Sequence, residues 1–247
     1  MTTVKDFQKR LFENYKSDLS LPANYNYLYS NPIHPIVPLD ISQNNIFIIG
    51  AYPSAKFASI DSERDVPVND LICPFSSERY FDGSRVRTVA SGSELEETYL
   101  KPLGLKREQC WITNIVRIFL FKEGHVKKYR RLGCEWPERE TRSDFENYAQ
   151  KGLHWLEEEL SIAKPKIINT FGAEVAGILQ GIKTQKKRNL LLGGDIKEIE
   201  LDSTTYPIIH FAHPGIVMRA SSERNPWPRL HREVHIPEAK RSLAELT

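Results

Sequence analysis

The sequence predicts an α/β protein of three layers, with a central, mostly parallel sheet of about four strands and helices on both faces. Two observations carry this. Short, continuously apolar, β-branched runs recur and close on glycine or a polar residue, which is the pattern of strands buried on both sides. Between them lie segments with leucines and aromatics at helical spacing, and strands alternating with helices make a parallel sheet. Neither an internal repeat nor a low-complexity tract interrupts the pattern.

In chain order, Val4 to Ser17 reads as a helix, followed by the Pro- and Asn-rich connection "LPANYNYLYSNPIHPIVPLD", so residues 1–43 form a helical lead-in. "NIFIIG" (45–50) is the first strand. The polar stretch "AYPSAKFASIDSERDVPVNDLICPFSSERYFDGSRVRTV" reads as a long loop, and loops of that length in compact domains are usually functional or disordered. "SGSELEETYLKPLGL" predicts a helix with Ser91 or Ser93 as its cap. "CWITNIVRIFLF" (110–121) is the second strand, "DFENYAQKGLHWLEEELSIAKP" a helix stopped by Pro165, and "KIINTFG" a third strand feeding the helix "AEVAGILQGI". The section "NLLLGGDIKEIELDSTTYPIIHFAHPG" supplies a hairpin and the last strand. Residues 221–247 read as an extension of what is expected to be one domain spanning 1–247.

Composition narrows the function classes. With 247 residues, 40% of them apolar, one sizeable core can be buried. No stretch approaches the length needed to span a bilayer, and the polar start "MTTVKDFQKR" has no signal-peptide core, so a cytoplasmic protein without membrane partners is expected. The three cysteines, Cys73, Cys110 and Cys134, form no CxxC pair, and a zinc site from Cys134, His125 and His154 lacks the usual short ligand spacing. No metal and no cofactor are expected, and the protein is expected to be a monomer. The net charge of +2 does not by itself announce nucleic acid, but "HVKKYRR", "KTQKKR" and "VMRASSER" are local basic runs that can meet phosphates or stand as solvated surface.

Polar residues gather where the strands end, and ligands of open α/β sheets bind at that carboxyl edge. Gly50, Ala51, Tyr52, Pro53 and Ser54 close the first strand, Asn114 interrupts the second, Gly172 follows the third, and His213 closes the last. Pro214 restrains His213 to an extended conformation at the strand's exit. On the residues alone, Asn114 is either a base-reading amide or a structural one, and His213 either a functional imidazole or part of a Pro-Gly turn.

Four motifs in order, "IIGAYPS", "ASGSELEETYLKPLGL" with "CWITNIVRI", "KIINTFGAEVAGIL" and "HPGIVMR", resemble the uracil-DNA glycosylase superfamily over about residues 45–220. The likeness is nearest to families whose members often carry an iron-sulfur cluster, although the four cysteines such a cluster needs are missing here. The resemblance implies DNA as partner and hydrolysis of the glycosidic bond of a flipped pyrimidine. It gives Asn114 the reading of the base edge and His213 the stabilisation of the departing base at O2. Gly215 and Arg219 become candidate DNA contacts, with the "IVM" after Gly215 as a wedge or as core.

This chain departs from the family in three places. Relatives usually carry a carboxylate or amide in the two residues before the motif proline to handle water, and here these are Ala51 and Tyr52. Asp61 is the first candidate to replace it, ahead of Glu63, Asp65 and Asp70 in the same segment. Ser54 and Ala55 stand where strict uracil enzymes have a tyrosine that excludes C5 substituents, which implies room for a 5-substituted pyrimidine, including bulky bases of the kind some phage DNA carries. Arg87 falls where relatives often have the phenylalanine that stacks on the base, leaving Phe75, Tyr80 or Phe81 as substitutes. Two rival readings remain: a binding module that recognises modified or damaged DNA without cutting it, and a different α/β hydrolase, which lacks a GxSxG elbow or GxxxxGK[ST] loop.

Overall fold

The computed structural model describes residues 2–61, 64–70, 73–82, 84–183 and 185–245, without the side chains of 29, 56–61, 64–70 and 185. Four strands run parallel at its centre: β1 (Ile46–Gly50), β6 (Cys110–Asn114), β7 (Ile167–Phe171) and β9 (Thr204–Phe211). β8 (Lys197–Leu201) adds a fifth, antiparallel strand at the edge, giving the order β6-β1-β7-β9-β8. β1, β6 and β7 are buried along their whole length, as apolar strands covered on both faces must be. β8 alternates buried and exposed positions, as an edge strand with one wet face does.

Side chains alternate between two cores. Phe47 and Ile49 pack with Trp111, with α1 (Val4–Asp18) through Phe7, Leu11 and Tyr15, and with α6 (Leu153–Ala163) through Trp155 and Leu160. Ile46 and Ile48 point the other way, to Leu95 of α2 (Ala90–Leu95), Leu103 of α3 (Lys101–Leu103), and Ala239 of α10 (Ile236–Glu245). The N-terminal helix and the C-terminal segment therefore each close one face of the sheet.

Four local expectations differ from the structure. The second strand stops at Asn114, and Ile115 to Phe121 run on as irregular but fully buried chain. Their backbone is held by tertiary bonds instead of a ladder: the Ile115 and Val116 N–H groups donate to the Gly50 and Ala51 carbonyls, each at 2.9 Å. The supposed long loop contains two hairpins, β2 (Ala55–Asp61) with β3 (Arg64–Asp70) and β4 (Arg79–Phe81) with β5 (Val86–Thr88). The helix expected before Pro165 breaks at Gly152 into α5 (Phe145–Lys151) and α6. Neither Ser91 nor Ser93 caps α2, because Val89 precedes it and the two hydroxyls donate to the Ser76 and Ala90 carbonyls.

Between these lie α4 (Glu123–Arg131), α7 (Ala173–Leu179), α8 (Pro214–Val217) and α9 (Trp227–Leu230). No helix among the described residues is long and apolar enough to cross a membrane.

Candidate active site

The parallel strands all point one way, so their last residues line one edge in the order Asn114, Gly50, Phe171 and Phe211, with His213 two residues further on. Gly50 stands opposite Asn114 in the register. A Cβ at Gly50 would fall 2.3 Å from Asn114 Oδ1 and 2.7 Å from a Phe75 ring carbon, so only glycine lets these two side chains meet over the strand end. Asn114 is only 4% exposed, yet among the described residues its amide makes no hydrogen bond. Most buried amides are satisfied within the fold, and this one lies unpartnered at the carboxyl edge of the sheet.

Phe75 is the aromatic that reaches the edge. Its backbone has φ +51°, a conformation that costs a bulky side chain about 1–3 kcal/mol and persists only where the surroundings enforce it. The enforcement is visible on both sides. Arg107 donates to the Pro74 carbonyl at 3.2 Å while pairing with Asp40 at 2.6 Å, and the Gly92 N–H donates to the Ser76 carbonyl at 2.9 Å. The ring stands edge-on to Phe171 at 5.7 Å and tilted toward the imidazole of His213 at 6.4 Å. Tyr80 instead packs against Ile36 and Val89, and Phe81 is 56% exposed on β4.

His213 caps α8: its Nδ1 accepts from the Gly215 N–H at 3.1 Å. Because Nδ1 is an acceptor, the neutral ring carries its proton on Nε2 and offers it as a donor. Burial lowers the imidazole's pKa from its ordinary value, Arg219 lowers it further, and Glu174 opposes them. The next residue inward is pinned as well, since the Tyr99 hydroxyl donates to the Ala212 carbonyl.

The remaining expected site residues divide into four groups. Ala51 and Tyr52 are half-buried, Pro53 is buried and Ser54 is exposed. Tyr52 turns to Phe145, edge-on at 5.5 Å, beneath the Arg142 guanidinium at 5.1 Å. Gly215 abuts Glu94, whose Oε2 lies 2.9 Å from where a Cβ would stand, and Arg219 is exposed just beyond α8. Arg87 lies on the exposed hairpin strand β5, where its side chain pairs with Asp82. The backbone of Asp61 closes β2 opposite Arg64, but its side chain, like those of Asp65 and Asp70, lies outside the described residues, as does Glu63 altogether.

Three features were not anticipated. Glu174 sits in the first turn of α7, and the run "FGAE" at a strand end carried the same positional signal as "AHPG". Arg142 reaches the first motif from a segment distant in sequence, which periodicity could not show. In the core that holds Trp111 and Tyr15, Arg117 and Glu159 form an ion pair that is wholly buried, with the Trp111 indole donating to Glu159 at 2.6 Å. Among the described residues no group of three or more His, Cys, Asp or Glu side chains could hold a metal. An open depression lined by Lys164, Asp202, Thr204 and Tyr206 lies at the opposite edge of the sheet and touches none of the side chains described above.

No curated protein matches the chain. The family model of the uracil DNA glycosylase superfamily matches residues 39–233, a span that contains the whole sheet and every residue of the edge described above. The chain belongs to the uracil DNA glycosylase superfamily.

Proposed function

We propose that the protein is a DNA glycosylase that hydrolyses the N-glycosidic bond of a flipped pyrimidine, either uracil or a 5-substituted base, in repair or in defence against foreign DNA. The observation that carries this reading is the unpartnered amide of Asn114, buried against Phe75 at the carboxyl edge of a sheet belonging to a family that acts on DNA bases.

In this reading the flipped base stacks on Phe75 and presents its O4 and N3 to the Asn114 amide, one donor and one acceptor meeting their complements. As the C1′–N1 bond lengthens, negative charge grows on the base, and the Nε2–H of His213 donates toward O2. A donor that faces charge present only in the transition state lowers the barrier more than it tightens ground-state binding. The exposed Ser54, with Tyr52 turned toward Phe145, leaves the C5 side of the base without the bulky wall of strict uracil enzymes. Gly215 and Arg219 would contact the strand beside the flipped nucleotide, with the exposed Met218 as an apolar neighbour.

Alkali cleavage of oligonucleotides bearing uracil or different 5-substituted pyrimidines tests the proposal. Abasic sites on at least one of them are expected. Ala51 and Tyr52 favour one rival, a module that recognises such bases without cutting, and tight binding with no released base on any of them would establish it in place of the glycosylase.

A further inference from the structure

The first motif carries no group able to activate water, so a hydrolase built on this edge needs a carboxylate from elsewhere. We infer that Glu174 is that carboxylate, an inference that rests on the glycosylase reading given above. Sheet order is the main argument. β7 lies between β1 and β9, so whatever follows β7 stands between the Ala51–Tyr52 turn on one side and His213 on the other.

Glu174 follows β7 by three residues and folds back over its end: its Oε2 lies 3.9 Å from where a Cβ of Gly172 would stand. Gly172 has φ +103°, which a residue with a side chain adopts only under strain, and its N–H donates to the Phe211 carbonyl at 2.9 Å. The turn into α7 is thereby tied to the strand that delivers His213. Among the described residues the Glu174 carboxylate has neither an ion pair nor a hydrogen bond, whereas Glu94, the other acid near His213, is packed against Gly215. Electrostatics agree with the placement, for the charge of Glu174 opposes the lowering of the His213 pKa and adds to the burial that raises that of Tyr52.

The C1′–N1 bond breaks with its electron pair leaving on the base, a water oxygen forms the new bond to C1′, and the water's proton passes to the Glu174 carboxylate. That proton then moves through solvent to the base anion, which restores the carboxylate. The same negative charge favours the cationic sugar before water attacks.

The test uses the full chain with the best substrate from the cleavage series, comparing wild type with Glu174→Gln, Glu174→Ala and Asp61→Asn. Glu174→Gln is expected to lower kcat by about 100-fold, within the range for a positioned acid or base, with DNA affinity and melting temperature unchanged. Added formate should restore part of the Glu174→Ala rate, which a residue acting only through structure does not allow. An active wild type with Glu174→Gln at the wild-type rate, or with the loss confined to Asp61→Asn, overturns the assignment and leaves the glycosylase reading intact. A wild type that binds DNA but releases no base overturns both.

Discussion

Gly50 and Asn114 face each other across the last rung of the β1–β6 ladder, and the missing side chain of the one is what makes room for the amide of the other. The Phe75 ring occupies the rest of that space. Three residues far apart in sequence thus form the floor and wall of one candidate base pocket.

Gly50→Ala is expected to be harmful out of proportion to one methyl group. The new Cβ would lie 2.3 Å from Asn114 Oδ1, a separation real structures do not show, so the amide or the ring must move. Overpacking of this kind costs about 1–3 kcal/mol. Thermal unfolding should register that cost, and base release should fall further than the loss of folded protein explains. An unchanged melting temperature and rate would show that the edge is more open than described.

Much of this geometry was legible beforehand, for a physical reason. Strands buried on both faces are largely apolar, so β1, β6, β7 and the buried second half of β9 are legible as such, and the polar residues at or beyond their ends are conspicuous against that background. Phe75 is the aromatic the sequence puts first of three, but its left-handed backbone is not legible there, because Arg107 and Gly92 impose it from elsewhere in the chain. The run from Ile115 to Phe121 imitated a strand because burial, not hydrogen-bond pattern, sets its composition. The pairing of Arg87 with Asp82 depends on a hairpin that spacing along the chain does not reveal. Glu174 passed unnoticed because an acid in a first helical turn is unremarkable until sheet order puts it between two motifs.

The buried pair of Arg117 and Glu159 should behave as a structural unit. Arg117→Ala or Glu159→Ala leaves one charge alone in an apolar core, and such losses cost about 3–5 kcal/mol. Replacing both with apolar residues of similar size should cost far less than either single change. Denaturant unfolding of the three variants checks this, and equal destabilisation by single and double changes would contradict it.

Acid should weaken the fold before the carboxylates of its surface are neutralised. Burial lowers the pKa of His210 and of His231 from 6.5 to about 4. A folded-state pKa below the unfolded value means that the unfolded chain binds more protons between the two. The stability contributed by the neutral rings is therefore complete above pH 6.5 and is lost as pH falls toward about 4. Melting temperature should drop across that window, and His231→Gln should make the drop shallower. A flat profile down to pH 4 would contradict the burial argument.

If Ser54 leaves the C5 side of the base open, a bulkier residue there should narrow the range of substrates. Ser54→Tyr is expected to reduce excision of a 5-substituted pyrimidine more than excision of uracil. A loss of stability or of DNA affinity lowers both together, so the ratio of the two kcat/KM values isolates the steric effect. An unchanged ratio would remove Ser54 from the pocket wall.

The central claim is that Asn114 and His213 act on a flipped base, and the direct measurement is the single-turnover release of free pyrimidine from modified DNA by wild type, Asn114→Ala and His213→Ala. Each variant is predicted to release base at least about tenfold more slowly while melting within a few degrees of wild type, the lower end of what one transition-state hydrogen bond contributes. Wild-type release rates from both variants on a substrate that the unaltered protein cleaves would contradict the account.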